Sequence, residues 1–296
     1  MREKWRKGNM FIYKNCSQVE LDKIYDAFNV GFSDYIIKFE ISKEEFESRF
    51  FGLEGNSLEH SFIALDGEKP VGLMLGGIKE YEGTKTLRCG GMCVHPDYRG
   101  KGVSKRLFEL HKQLAIDNNC KQLFLEVIVG NDRAINFYKK MGYKKVYDLN
   151  YYAYEGDIEV DEYAFKALDI RRIPFDLIKT LSKQLKDVHI NWQNDFDYME
   201  KVKGLVCYGV YASSELIGAL CIRPIDAIGN IHFMWVEPSK RHKGIAKSML
   251  KKAIRDLDLK RLSISFPNNA SLHGFVEHNH FEKLSISQYE MYLTLS

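Results

Sequence analysis

The stretch Val94-His-Pro-Asp-Tyr-Arg-Gly-Lys-Gly-Val-Ser104 decides how this sequence is read, because a second stretch, Val236-Glu-Pro-Ser-Lys-Arg-His-Lys-Gly-Ile-Ala246, repeats it. A valine, a proline, an arginine and a glycine recur in both, each pair separated by 142 positions. An apolar, strand-like run precedes each stretch, and an amphipathic helical pattern follows it. This repeat indicates a diverged tandem duplication. We therefore predict two domains of similar fold, residues 1–155 and 163–296.

Composition and length agree with two ordinary soluble domains. The chain has 296 residues, of which 45% are hydrophobic and 28% charged, and these values exclude disordered and fibrous classes. A formal net charge of +3, from 43 basic and 40 acidic residues, gives no electrostatic reason to expect a nucleic-acid partner. No uncharged apolar run reaches about 18 residues, so no membrane span is predicted.

The spacing of the cysteines and the first residues of the chain indicate the cellular compartment of the protein. None of the six cysteines shows a CxxC spacing, and four lie in apolar runs, which favours buried, reduced thiols and gives no metal site. Residues 1–10 are basic but lead into no apolar signal core. We therefore expect a cytoplasmic protein.

Strand and helix patterns alternate in the first copy and predict an α/β fold. The strand-like run Thr86–His95 is interrupted by Gly90-Gly91, which predicts a bulge or a close backbone approach. The helix after Gly102 carries a core-facing stripe of Val103, Leu107, Leu110 and Leu114. The run Gln122–Ile128 is apolar on both faces, as a central strand covered by helices should be.

The segment from Arg99 to Ser104 joins a strand end to a helix start. Unpaired N–H groups at a helix N-terminus, reached over a glycine-rich turn, form an anion site. Gly100 and Gly102 permit backbone geometries that a side chain would block, and Arg99 and Lys101 add positive charge. The segment matches neither the Walker loop nor GxGxxG. It predicts a phosphorylated ligand.

These residues resemble a known family. The pattern Arg-x-x-Gly-x-Gly/Ala after a Val-x-Pro strand end is similar to the acetyl-CoA motif of the GNAT superfamily of N-acetyltransferases. The second half of that signature follows at Leu125-Glu-Val127, Asn131, Ala134, Phe137-Tyr138 and Gly142-Tyr143. The resemblance covers nearly the whole chain. It implies two tandem GNAT-like domains, each with a mixed, mostly antiparallel sheet that contains a splayed parallel strand pair and is flanked by helices.

The resemblance also implies a site for acetyl-CoA, the acetyl donor. Backbone N–H groups of the Arg99–Ser104 loop would hold the pyrophosphate, and the pantetheine arm would pair with the end of the preceding strand. A backbone N–H near Val94 would hold the oxyanion of the tetrahedral intermediate. The cofactor-binding residues expected on this basis are Met92, Cys93, Val94, Arg99, Gly100, Lys101, Gly102, Val103, Ser104, Asn131 and Tyr138.

Two residues of the first copy are the expected catalytic pair. Tyr138 would give a proton to the departing thiolate, because the pKa of a phenol, about 10, suits that task. Glu126, twelve residues earlier, would take the proton of the attacking ammonium, directly or through water. In the second copy, with Asn269 aligned on Asn131, the counterparts of Glu126, Tyr138 and Gly142 are Ile264, Val276 and His280.

Catalysis is therefore assigned to the N-terminal domain, which would move an acetyl group to a primary amine by direct attack in a ternary complex. Two alternatives stay open: the C-terminal copy is the catalytic one, or the chain is a catalytically idle CoA-binding or interaction module. The acceptor is expected to be a small-molecule or peptide amine, and the protein a monomer or homodimer. The sequence does not define the acceptor or the length of the acyl group.

Overall fold

The computed structural model describes residues 11–156, 158–185, 188–268 and 272–295. Two features of the sequence interpretation, residues 1–10 and Asn269, lie outside these ranges. Within the ranges, no helix has the length and apolar character needed to cross a membrane.

The first compact unit contains residues 11–146 and 290–295 of the described chain. Its strands are β1 (Ile12–Asn15), β2 (Ser57–Asp66), β3 (Lys69–Tyr81), β4 (Thr84–Val94) and β5 (Gln122–Ile128). Its helices are α1 (Leu21–Gly31), α2 (Lys43–Phe46), α3 (Val103–Asp117) and α4 (Asp132–Lys140). Strands β1 to β4 pair in order as antiparallel neighbours, and β5 pairs with β4 in parallel.

The second unit contains the described residues of 147–289. The strands are β6 (Lys144–Glu155), β7 (Asp169–Arg172), β8 (Val206–Ala212), β9 (Glu215–Ile225), β10 (Ile228–Val236), β11 (Arg261–Pro267) and β12 (Glu282–Thr294). The helices are α5 (Glu162–Ala167), α6 (Phe175–Lys179), α7 (Phe196–Lys201), α8 (Ile245–Leu257) and α9 (His273–His278). Strands β7 to β10 pair antiparallel in order, and β11 pairs with β10 in parallel, so the predicted α/β duplication is confirmed.

Local sequence signals account for the helices that frame the first unit. Ser42 caps α2 through its Oγ, which accepts from Glu45 N–H, and the Glu45 carboxylate accepts from Ser42 N–H in return. Helix α3 buries Val103 and Leu107 as predicted, but its buried face continues through Phe108, His111 and Ala115, and Leu110 and Leu114 are only half-buried. The core-facing stripe is therefore rotated by about one residue from the predicted one.

Strand β4 carries a bulge at Gly90. Leu75 pairs with Gly91 whereas the next residue, Gly76, pairs with Cys89, so Gly90 is the extra residue. A Cβ at position 90 would lie 2.0 Å from Asn56 Oδ1, so the packing requires glycine there. Both predictions for Gly90-Gly91, a bulge and a close backbone approach, are confirmed.

The parallel pair β4–β5 separates just beyond this bulge. Its register runs from Thr86 opposite Gln122 to Cys89 opposite Leu125, and the hydrogen-bonded pairing ends there. In the second unit the pair β10–β11 runs to Ile231 opposite Ile264, and the β10 register shifts at His232. The splayed parallel pair is therefore present in both units, and we call each separation a fork.

The register of the second fork corrects one predicted correspondence. Ile231 stands where Cys89 stands in the first copy, so Ile264 corresponds to Leu125 and Ser265 to Glu126. The prediction of Ile264 as the counterpart of Glu126 was wrong by one residue, because the second copy has lost three residues before β11 and not four. His280 does match Gly142, since both have a positive φ.

The last strand of each sequence copy completes the other unit. Residues 149–155 of β6 pair antiparallel with β11, so they belong to the second unit. The end of β12 belongs to the first unit, where it neighbours β5 and Leu295 N–H donates to Lys121 O at 2.8 Å. The compact units therefore differ from the sequence domains 1–155 and 163–296, because two similar strands have exchanged places.

We expect a fragment of residues 1–155 to be much less stable than the full chain. Such a fragment leaves β5 without the neighbour that carries the fully buried Glu290 and Met291, and the strand left to cover that edge is β6, which pairs with β11 in the full chain. Thermal unfolding followed by circular dichroism should show a transition at a clearly lower Tm for the fragment alone. Co-expression with residues 156–296 should restore a soluble complex. A fragment that unfolds cooperatively at the Tm of the full chain would contradict the exchange.

Candidate functional site

A cleft of about 230 Å³ opens at the fork of the first unit. Nine of the predicted cofactor-binding residues line it: Met92, Cys93, Val94, Arg99, Gly100, Val103, Ser104, Asn131 and Tyr138. Lys101 and Gly102 lie in the loop between lining residues, and Glu126 is not among the lining residues. The geometry therefore brings the predicted cofactor residues together at one place and leaves the predicted base outside this cleft.

The loop before α3 has the backbone shape of an anion cradle. Gly100 and Gly102 have φ values of +74° and +86°, and Gly102 is the N-cap residue of α3. No atom lies within 4 Å of a Cβ built on either glycine. The first turn of α3 contains no acidic residue, so its N–H groups meet no negative side chain there. This arrangement suits a phosphate group.

Arg99 holds the loop in place and does not add free positive charge at the mouth. Its Nε donates to Val94 O at 3.1 Å and its Nη2 to Asp34 Oδ1 at 2.7 Å. The hydrogen bond from Arg99 lowers the pKa of Asp34 to about 2, so this ion pair persists over the physiological range. Lys101 Nζ lies 4.7 Å from the centre of the Tyr98 ring. Both predicted cations are therefore engaged within the protein, and Arg133, which the sequence interpretation missed, lines the cleft.

Tyr138 lies deep in the cleft at the apex of the fork. Its ring is 6% exposed, and its hydroxyl is 3.9 Å from Cys89 Sγ. Burial raises the pKa of Tyr138 well above its usual value of 10, so the phenol keeps its proton at neutral pH. Burial also raises the pKa of the Cys89 thiol to about 11. The apex therefore contains two neutral groups, one of which is a proton donor aimed at the cleft.

Glu126 belongs to a buried ion cluster with Arg88 and Glu54. Arg88 Nη2 donates to Glu126 Oε2 at 2.6 Å, and Arg88 Nη1 donates to Glu54 Oε2 at 2.8 Å. All three side chains are at most 5% exposed. Burial raises the pKa of Glu126, and the guanidinium of Arg88 opposes that shift. The second oxygen of Glu126, Oε1, is buried and has no hydrogen-bond partner among the residues that the structure describes.

Tyr138 and Glu126 lie on opposite faces of the sheet at the fork. Consecutive side chains of a strand point to opposite faces, and Cys89, which contacts Tyr138, follows Arg88, which contacts Glu126. Glu126 is also the first residue of β5 beyond the last pair with β4. A group inserted between the separated strands would therefore have a carboxylate on one face and a phenol on the other.

The second unit has retained the loop and not the acid or the base. Arg241 Nε donates to Val236 O at 3.1 Å, as Arg99 does to Val94 O, and Gly244 has a φ of +75°. His242 takes the place of Gly100 with a φ of +61°, a conformation that costs a non-glycine residue about 1–2 kcal/mol. Val276 and Ser265 stand where the first copy has Tyr138 and Glu126, so no carboxylate or phenol occupies these positions.

Comparisons with known proteins agree with this geometry. The family model "Acetyltransferase (GNAT) family" matches residues 21–143 and 172–281. The chain belongs to the GNAT family of acetyltransferases. The two matched regions correspond to the two sequence copies, so the duplication seen in the loop repeat is a duplication of the GNAT domain.

Relatives and solved structures carry names from the same family. An N-alpha-acetyltransferase 30 of Schizosaccharomyces pombe is 30% identical over 94 residues, which cover 30% of this GNAT chain and 62% of the relative. An N-alpha-acetyltransferase of Sulfurisphaera tokodaii is 28% identical over 163 residues, 51% of this chain and 91% of the relative. A tandem GNAT protein from the clavulanic acid biosynthesis pathway superposes with a TM-score of 0.64 at 14% identity, over 96% of this chain and 98% of that one. The match to the S. pombe relative spans less than two thirds of its length.

Sequence reasoning missed the partners of the two charged site residues. Arg88 is a lone arginine in an apolar strand of this GNAT chain, and a cation in such a run must find a buried counter-ion, so a signal for its pairing existed. Glu54 and Asp34 gave no local signal. They lie in irregular segments, 34 residues before Arg88 and 65 residues before Arg99.

We expect Gly102→Glu to abolish acetyl-CoA binding in the first unit. The change puts a side chain and a negative charge into the open space beside the α3 N-terminus, where a phosphate would lie, and strains a residue with a φ of +86°. Calorimetric titration of the full chain should show micromolar binding for the parent protein and none for the variant. Gly244→Glu, the same change in the second unit, is the matched control. Unchanged affinity in Gly102→Glu would place the cofactor elsewhere.

Proposed function

We propose that this GNAT protein transfers an acetyl group from acetyl-CoA to a primary amine, and that the fork of the first unit is the place of reaction. The observation that carries the proposal is the position of Tyr138 and Glu126 on opposite faces of the β4–β5 fork. It is supported by the anion cradle at one end of the same cleft. Donor and acceptor would then meet between the two strands.

The donor would lie along the cleft with its pyrophosphate at the Gly100–Ser104 loop. Backbone N–H groups of that loop would bind the phosphate oxygens, and Arg133 would add positive charge. The pantetheine arm would pair with Met92–Val94, which β5 leaves unpaired beyond the bulge. Asn131 Oδ1 accepts from Ala134 N–H and caps α4. Asn131 would therefore also fix the N-terminus of α4, against which the pantetheine arm would lie.

The leaving thiolate would be protonated by Tyr138. When the amine attacks the thioester carbonyl, the C–N bond forms, the carbonyl oxygen becomes an oxyanion near the Val94 N–H, and the C–S bond then breaks. The electron pair of that bond leaves on sulfur, which takes the phenol proton. The second proton lost by the former amine nitrogen would then return through water to the Tyr138 phenolate and restore the acid. Because the raised pKa of Tyr138 keeps the phenol protonated, the donor form is present throughout the neutral range.

The acceptor would approach from the face that holds Glu126. Glu126 and Glu54 both pair with Arg88, and Glu54 also lies 3.7 Å from the Arg49 guanidinium. The buried Glu290 adds a third carboxylate beside Glu126, so that face favours a positively charged partner. Arg88 fixes Glu126 Oε2 and leaves Oε1 to accept the ammonium proton. Since Oε1 is buried, that proton would pass through a water molecule between the amine and the carboxylate.

The names of the relatives suggest which amines to test first. N-alpha-acetyltransferases point to the α-amine of a peptide. A thialysine N-epsilon-acetyltransferase of Bos taurus, 39% identical over 49 residues, points to the side-chain amine of a small amino acid. Both acceptors are cations before they react, as the cluster at Glu126 requires. We propose a peptide or small-molecule amine of this kind as the acceptor.

We expect Tyr138→Phe to lower kcat by about 10²–10⁴, the usual worth of general acid catalysis, with acetyl-CoA affinity nearly unchanged. The ring and its packing remain, and only the proton donor is lost. Steady-state kinetics and calorimetry measure the two effects. Tyr143→Phe is the matched control, because that ring is 5.6 Å from the Tyr138 ring and its buried hydroxyl has no hydrogen-bond partner in the described part of the chain. Equal losses of kcat in both variants would show that the phenols serve packing.

We expect Glu126→Gln to lower the acetyl-transfer rate most at low pH. The rate should recover as pH rises, because the amine then loses its proton without a catalytic base. The rate of the Glu126→Gln variant should rise around the pKa of the acceptor amine, whereas the parent enzyme should reach its full rate at lower pH. Glu54→Gln removes the same charge from the same guanidinium and leaves the proposed base intact. The control should therefore keep the shape of the parent rate–pH profile. Identical profiles for both variants would exclude Glu126 as the base.

A further inference from the structure

A second cleft, of about 290 Å³, lies at the fork of the second unit, between β10 and β11. Its position on the sheet corresponds to the side of the first fork that holds Arg88 and Glu126, since Asn230 and Ser265 are their counterparts and both line it. None of its described lining residues is acidic. The lining of this cleft therefore differs from the corresponding place in the first unit, where a cluster of buried carboxylates lies.

His232 lies at the base of this cleft, at the bulge position that Gly90 occupies in the first copy. Its Nδ1 is 2.9 Å from the Oδ1 of Asn194. The Asn194 amide nitrogen donates to Asn191 Oδ1 at 2.9 Å and to Ser265 O at 3.0 Å, so the Asn194 oxygen is left as an acceptor. His232 therefore donates from Nδ1, and its ring is held in one orientation.

Burial keeps this imidazole uncharged. It lowers the pKa of His232 to about 4, although a backbone oxygen of Gln193 acts in the opposite direction. The nearby Arg223 lowers this pKa further. The cleft therefore carries one fixed positive charge at neutral pH, and that charge is the guanidinium of Arg223.

Arg223 lies on β9 opposite Asn230 and is half-buried in the cleft wall. Within the described ranges it forms no salt bridge, and the Asn230 side-chain oxygen already accepts from Ser263 Oγ at 2.6 Å. A half-buried guanidinium without a carboxylate is suited to bind one from a ligand, because its planar donors match the two oxygens. The rest of the wall includes the apolar side chains of Ile225 and Leu284.

We infer that the cleft of the second unit binds a small organic carboxylate, with its charged group on Arg223 and its apolar body against Ile225 and Leu284, beside the His232 ring. This site is separate from the proposed acetyl transfer and needs no cofactor. A single guanidinium among apolar and neutral polar groups favours one carboxylate over a phosphate, which carries more charge and needs more donors.

Benzoate titration of the full-length protein, labelled with ¹³C-histidine, tests the inference in the absence of acetyl-CoA. The His232 imidazole signal is assigned by its loss in His232→Gln. We expect a saturable shift of this signal with benzoate. In Arg223→Gln the apparent affinity should fall by at least about tenfold, as expected for loss of a charge-assisted pair, and Arg223→Lys should recover part of it. Circular dichroism checks that each variant is folded.

The matched control is Arg171→Gln, which removes an exposed guanidinium on β7 that pairs with Asp169 at 3.5 Å. It should leave the titration unchanged. The absence of a saturable shift, or an unchanged affinity in Arg223→Gln, would overturn the site. If inorganic phosphate shifts the His232 signal as strongly as benzoate does, the proposed selectivity of the cleft for carboxylates is wrong. Because the readout is binding alone, the result is independent of whether the first unit transfers acetyl groups.

Discussion

The hydrogen bonds between β4 and β5 end at Cys89 and Leu125, and the functional site depends on that ending. Two parallel strands of a central sheet would normally stay paired along their length, and the bulge at Gly90, pressed against Asn56, diverts β4. Beyond the bulge, β4 keeps its partner β3 and presents its other edge to the cleft. An extended ligand can pair with that free edge of β4 as a strand would. The end of the β4–β5 pairing therefore creates the proposed binding surface.

Features set by local backbone chemistry could be predicted from the sequence, and features set by distant partners could not. The glycine loop and the bulge follow from residues that tolerate a positive φ or a missing side chain. The pairing of Arg99 with Asp34 joins segments 65 residues apart and removes the free charge that the loop composition suggested. The one-residue slip in β11 did have a signal, because β11 alternates polar and apolar residues, and the alignment of Glu126 with Ser265 matches polar with polar. The strand register confirms that alignment.

The two forks show how one scaffold can present opposite chemistry. In the first unit Glu126 and Glu54 pair with Arg88 at the fork, Glu54 also lies 3.7 Å from Arg49, and the buried Glu290 adds negative charge beside Glu126. In the second unit the corresponding residues are neutral, and histidine stands where glycine allowed the close approach. Such a division is what duplication permits, because one copy can keep the reaction chemistry while the other copy loses it and acquires a different polarity.

The exchange of final strands sets an order of events during synthesis. The strand that neighbours β5 in the first unit is the end of β12, so it leaves the ribosome only after the second copy has been made. Until then the N-terminal copy holds its central sheet with one side of β5 uncovered, and its own β6 is the nearest sequence able to fill the gap. The nascent chain must therefore avoid or later break a pairing of β5 with β6, which the similarity of the two copies favours. The order in which the strands are synthesised is thus part of how this fold forms.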